Sequence, residues 1–247
     1  GYSTGWGYQS SIPGRGPGYS KVYQCPHFDS GSGTPTGSLF GAHATGINWE
    51  LYQYEHDIEE GYRLAYERLI DEARGLGAHG VVGAHLSTRQ LSSFQTENTS
   101  VIEFTVLGTA VGCAGATPLP TPFTCHLSGQ DLAKLMANGL VPASLILTMA
   151  AIRVIPGCQT SRLNTPLSNV ELVQYGEAVD QCRQVAVERL KSKARASGEG
   201  VIGVDLKLDV ADGGRRTEMM LVGTVVRRFS DTPATASPPP IMKLWDR

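Results

Sequence analysis

The sequence predicts an α+β protein made of two tandem β-α-β-β units, each a three-stranded, largely antiparallel sheet with one long helix on one face. Three observations carry this expectation: an internal repeat, an apolar stripe at helical spacing in each copy, and short β-branched runs after each stripe. The segment LAYERLIDEARGLG at 64–77 aligns with VAVERLKSKARASG at 185–198, with seven of 14 positions identical. GVVGAHL from Gly80 then matches GVIGVDL from Gly200, and EFTVLGTAV from Glu103 matches EMMLVGTVV from Glu218. Length differences fall in the connections, where a folded unit tolerates them.

The repeat divides the chain into a first copy at 1–116 with a long irregular N-terminal segment, a linker TPLPTP at 117–122, a second copy at 123–230 and a Pro-rich tail at 231–247. The first copy's entry strand is expected at 38–47 (SLFGAHATGI), with a stretch near Tyr2 to Tyr8 or upstream of Gly1 as alternatives. Its helix follows from the spacing of Ile58, Ala65, Leu69 and Ala73. The acidic residues Glu55, Asp57, Glu59 and Glu60 sit at the helix start, where the macrodipole favours them. Gly77 and, in the second copy, Gly198 close the helices by adopting positive φ.

Strands are expected at 80–87 and 101–111 in the first copy, and at 143–155, 200–210 and 218–229 in the second. Pro142 and Pro156-Gly157 bound the strand at 143–155, and Asp212-Gly213-Gly214 turns the last two strands into an antiparallel hairpin. Ahead of the second copy's first strand, Ser128 caps a short helix that Gly139 stops.

Composition narrows the function classes. The 247 residues are 41% hydrophobic and 18% charged, and 21 basic against 23 acidic side chains give a net charge of −2. No basic stripe marks a nucleic-acid or anionic-membrane surface. The longest apolar stretch, at 140–152, is about 13 residues and contains Pro142, short of the roughly 20 that a bilayer requires. Five cysteines, an odd number, argue for free thiols and a cytoplasmic location.

The second hairpin is apolar on both sides. Ile202, Val204, Leu206 and Leu208 point one way, while Met220, Val222 and Val226 oppose Met219, Leu221 and Val225. One helix covers one face of a small sheet. At about 25 cal/mol per Å², an uncovered 300 Å² corresponds to roughly 7 kcal/mol, so self-association into a closed ring is expected.

These residues resemble the YbjQ-like family of heavy-metal-binding domains. The resemblance runs through Glu67 to Leu69, Leu76 to Gly83 and Leu107 to Val111 in the first copy. In the second it runs through Glu188 to Leu190, Gly200 to Gly203 and Val222 to Val226. It implies two tandem copies of a small α+β unit, a ring-forming homo-oligomer of five-fold or larger order, and no established biochemical activity.

For the metal that the family's label implies, Cys25, His27, Cys125 and His126 supply two thiolates and two imidazoles, a set that zinc or copper prefers. The ordinary alternative is isolated packing residues, since the pairs lie 100 residues apart. His85 aligns with Asp205, so these two are candidate lumen or interface polar positions for a ligand. Gly75-Leu76-Gly77-Ala78-His79-Gly80 fits G-x-G-x-x-G but runs from helix to strand, the reverse of a dinucleotide fingerprint. No hydrolase signature is present. The expectation is a non-enzymatic structural or small-ligand-binding homo-oligomer. The alternatives are a Cys/His metal-binding module and an enzyme with a subunit-interface site near His85.

Overall fold

The computed structural model describes residues 19–23, 46–92, 100–117, 119–163 and 171–229. The elements in order are β1 (Ser20–Tyr23), β2 (Gly46–Glu50), α1 (Tyr52–Gly75), β3 (Gly80–Ser92), β4 (Ser100–Val111), β5 (Phe123–Thr124), α2 (Gly129–Ala137), β6 (Leu140–Ile155), α3 (Cys158–Leu163), α4 (Val173–Ser197), β7 (Gly200–Ala211) and β8 (Arg216–Arg228). They form a five-stranded sheet, β1-β2-β6-β8-β7, and a three-stranded sheet, β4-β3-β5. The protein is α+β, with antiparallel hairpins following each long helix.

Contacts cluster into two compact units. The first comprises Gly1–Arg63, Leu147–Lys191 and Asp205–Val222. The second comprises Leu64–Ile146, Ser192–Val204 and Gly223–Arg247.

In the first unit, β2 pairs antiparallel with β1 and with the C-terminal end of β6, where Glu50 meets Ile152. The strand that enters α1 therefore belongs to the five-stranded sheet. Of the expected 38–47 strand, only Gly46 and Ile47 lie within the described residues. The core of this unit includes Met149, Ile152, Val154, Met219 and Leu221, all at most 2% exposed, together with the buried Ile58 and Tyr62 of α1 and Ala178, Cys182 and Ala186 of α4. The buried α4 residues recur every four positions, one side of a helix. Asn48 and Gln174 fill a buried polar position together. Asn48 Nδ2 donates to Gln174 O at 2.9 Å, and Gln174 Nε2 donates to Asn48 Oδ1 at 3.0 Å, so neither amide is left unpaired.

In the second unit, β3 pairs antiparallel with β4 along its length and takes β5 in parallel on its other edge. The third strand of this sheet thus comes from after the hairpin. Gly80 permits it, because a Cβ there would lie 2.3 Å from the Phe123 ring. A bulge between Val82 and His85 shifts the register, with Gly83 at φ +62°. Gly203 at φ +58° holds the matching position of β7. The bulge breaks simple alternation along β3, and Val81, Val82 and Ala84 are all buried.

Several boundaries differ from expectation for identifiable reasons. β6 starts at Leu140, ahead of Pro142, because a proline near a strand end interrupts little of the ladder. Gly77 closes α1 at φ +66°, but Gly198 does not enter the left-handed region. Gly198 is instead required by close approach, since a Cβ would meet Val225 Cγ1 at 2.4 Å and Val226 O at 2.7 Å. Ser128 Oγ accepts from Asp131 N–H at 3.2 Å to cap α2, and Gly139 follows the helix at φ +74°. Asp212, Gly213 and Gly214 all have positive φ and join β7 to β8.

Candidate functional site

The most unusual surface is strand β7. It is the edge of its sheet, and residues 203–210 are all exposed. In the first unit Leu206, Leu208 and Val210 are 53%, 43% and 53% exposed and alternate with Asp205, Lys207 and Asp209. Val204, at 45%, continues the same series. Natural edge strands are usually short, charged or covered. This one is 12 residues long, with an aliphatic row on one face and charges on the other. A contiguous exposed aliphatic row marks an interaction surface more often than a solvated one.

The two polar positions expected at an interface are both exposed. His85 stands on β3 opposite Leu107 of β4, which is itself 66% exposed. Asp205 stands on β7, on the face opposite the aliphatic row. Both are accessible to a partner or ligand.

Of the four Cys/His candidates, Cys25 and His27 lie outside the described residues. Cys125 and His126 follow β5, and their side chains are engaged separately. Cys125 is fully buried, its Sγ approaches Leu127 O at 4.0 Å, and burial pushes its thiol pKa up. A thiol held protonated is a poor metal ligand. His126 Nδ1 lies 2.7 Å from Thr224 Oγ1, and its backbone N–H donates to the same oxygen at 3.2 Å. The remaining nitrogen, Nε2, faces Gly203, where a Cβ would come within 2.4 Å of it. These two residues as placed do not fit a metal. Among the described residues no group of three or more His, Cys, Asp or Glu could hold one.

That packing predicts a difference between two similar glycines. Gly83→Ala meets only the left-handed backbone, since nothing lies within 4 Å of its Cβ, and is expected to cost about 1 kcal/mol. Gly203→Ala adds a clash with the His126 ring and is expected to cost about 1–3 kcal/mol more. Urea unfolding of both variants measures it, and equal losses would contradict the packing of His126.

One constellation was not legible as such in the sequence. In the first unit β2 ends at Glu50, and among the described residues no strand continues along that edge of β6 at Met149 and Ala151. Leu51 N–H donates to Ala151 O at 2.8 Å, and α1 then takes over with side chains. Glu55 Oε1 accepts from Ala151 N–H at 2.6 Å, and Glu59 Oε1 accepts from Met149 N–H at 3.2 Å. Arg189 of α4 donates through Nη1 to Met149 O and to Glu55 Oε2, both at 2.7 Å, and through Nη2 to Glu50. Burial pushes the Glu55 carboxyl up to about 7, against the pull of Ala151 N–H and Arg189. Glu55 and Glu59 therefore serve as a substitute strand edge, beyond the macrodipole role read from their position. The i, i+4 spacing of the two glutamates was the available signal, because it puts both on one side of the helix.

Residues 38–114 match the YbjQ family, described as "Putative heavy-metal-binding". A curated relative, encapsulin nanocompartment protein Rv1762c of Mycobacterium tuberculosis, is 32% identical over 171 residues, covering 66% of this chain and 64% of that protein. The alignment thus spans just under two thirds of the relative's length. No solved structure matches this chain. Over residues 38–114, then, the chain is similar to the YbjQ family of heavy-metal-binding description.

Proposed function

We propose that this chain is a non-enzymatic structural protein of two YbjQ-like copies that associates with itself through strand β7. The observation that carries the reading is the exposed aliphatic row Leu206, Leu208 and Val210 on a long edge strand. Burying each half-exposed side chain contributes about 1 kcal/mol, and the unpaired backbone of an edge adds hydrogen bonds to whatever covers it. The duplication is supported by Gly83 and Gly203, which have positive φ at corresponding positions, and by Gly108 and Gly223. At the latter pair a Cβ would lie 2.4 Å from Val81 Cγ1 and 2.5 Å from Val201 Cγ1.

The named relative is an encapsulin nanocompartment protein. This chain's role is then that of a self-associating component of such an assembly, with a cytoplasmic location and a closed ring, five-fold or larger, as its form. Among the described residues no helix is long and apolar enough to cross a membrane. Sedimentation velocity over a hundredfold dilution tests the reading. A species at a stable multiple of 26.4 kDa is expected, and a monomer at micromolar concentration would refute it.

A metal-binding reading is favoured by the family description alone. It predicts stoichiometric zinc or copper in purified protein, held without Cys125 and therefore retained on Cys125→Ser substitution. Metal-free protein of unchanged stability would remove it.

A further inference from the structure

Each of the two sheets ends on one long strand and one short one. β7 and β4 have 12 residues each, whereas the opposite ends are the four-residue β1 and the two-residue β5. A long edge invites a further strand, while a short one offers little to pair with. The two long edges belong to corresponding hairpins, since β3 and β4 carry GVVGAHL and EFTVLGTAV where β7 and β8 carry GVIGVDL and EMMLVGTVV.

In each case the other hairpin shows the same edge filled. β8, the counterpart of β4, has β6 on the side away from β7. β3, the counterpart of β7, has β5 on the side away from β4. Both edges are therefore of a kind that this sequence pairs with a further strand, and among the described residues neither β4 nor β7 has one.

The side chains along the two edges complement each other. On β4, Glu103 is exposed and stands opposite the exposed Arg89 of β3, while Ile102, Phe104 and Val106 share the other face and are partly exposed. On β7, Lys207 lies between Asp205 and Asp209 on one face, with Leu206, Leu208 and Val210 on the other. Setting Glu103 against Lys207 makes a cross-strand row of alternating charge, Arg89, Glu103, Lys207. In either strand direction that register also sets Ile102 and Phe104 against Leu206 and Leu208. A shift of two residues would put Glu103 against Asp205 or Asp209, and a shift of one would put Phe104 against a charged side chain.

We propose that the edge of β7 in one copy pairs with the edge of β4 in a second copy, with Lys207 against Glu103. The inference rests on the self-association reading and names the surface that receives β7. Main-chain hydrogen bonds between the edges supply affinity, and the alternating side chains select the register. The contact is head-to-tail, so repetition closes a ring or extends a filament. Pairing β7 with β7 would instead stop at two copies and leave β4 uncovered.

Charge exchange in the full chain tests it. Glu103→Lys and Lys207→Glu should each raise the dissociation constant about fivefold or more, because like charges then oppose each other. The chain carrying both substitutions should return toward wild type, with thermal unfolding of all three little changed, since both side chains are exposed. In a Cys113→Ser background, which removes an exposed thiol, mixing a Glu103→Cys chain with a Lys207→Cys chain should give a 103–207 disulfide between different chains under mild oxidation. If wild type self-associates and Glu103→Lys assembles equally well, β4 is not the receiving edge, and the inference is overturned while self-association stands. Weakening in both single variants without recovery in the double, or without the 103–207 bond, would overturn the apposition of Glu103 and Lys207. A monomeric wild type overturns both the contact and the proposed function.

Discussion

If the chain self-associates through β7 as proposed, replacing Leu206 and Leu208 together by aspartate is expected to leave a folded monomer. Both side chains are about half exposed in the single chain, so the substitutions remove little from its own core. In an assembly they would place two carboxylates in an apolar contact beside Asp205 and Asp209, which already carry negative charge on the same strand. Losing the aliphatic burial costs about 2 kcal/mol for the pair, and desolvating the new charges adds several more. The dissociation constant should rise by a hundredfold or more. Light scattering reads the mass, and circular dichroism with urea unfolding reads the fold. An unchanged mass would remove β7 from the interface.

Arg189→Leu is expected to destabilise the folded chain strongly. It leaves Glu55, 2% exposed, without its cationic partner, and Met149 O without its donor. Removing one member of a buried ion pair costs about 3–5 kcal/mol, and the 29% exposure of Arg189 places this case toward the lower end. For a chain of this size that lowers the melting temperature by roughly 10 °C. Glu55→Gln should cost less, since an amide still accepts from Ala151 or Arg189. Joint Arg189→Met and Glu55→Met substitution should recover part of the loss, because the two residues act on each other. If Arg189→Leu melted like wild type, α1 and α4 could not be substituting for a missing strand along β6.

The sequence made the helices and hairpins visible because each depends on local pattern: Ile58, Leu69 and Ala73 on one side of α1, and Asp212-Gly213-Gly214 between β7 and β8. The resemblance read at Leu76 to Gly83 falls inside the segment that matches the YbjQ family. Pairing was less visible because it is non-local. Nothing near Gly46–Glu50 indicates that this strand joins β6, and Phe123–Thr124 is too short to read as a strand at all. The register shift at Gly83 needed the φ value, since a glycine in a strand has several possible causes. At the site, the aliphatic row of β7 was legible from alternation. An uncovered apolar face was expected in this hairpin as well, but not that β7 is the strand at the sheet's edge, because alternation cannot distinguish an edge strand from an inner one. The pairing of Cys125 and His126 with Leu127 and Thr224 was hidden for the same reason: ligand chemistry is read from residue type, whereas a side chain's actual partner depends on tertiary position.

Whether another copy of the chain covers β7 is tested most directly by hydrogen exchange of the amides at residues 203–210, followed as the protein is diluted. Protection of the outward-facing amides at high concentration, lost in step with the fall in mass, is the predicted result. Rapid exchange of those amides at every concentration, with the rest of the five-stranded sheet protected, would contradict it.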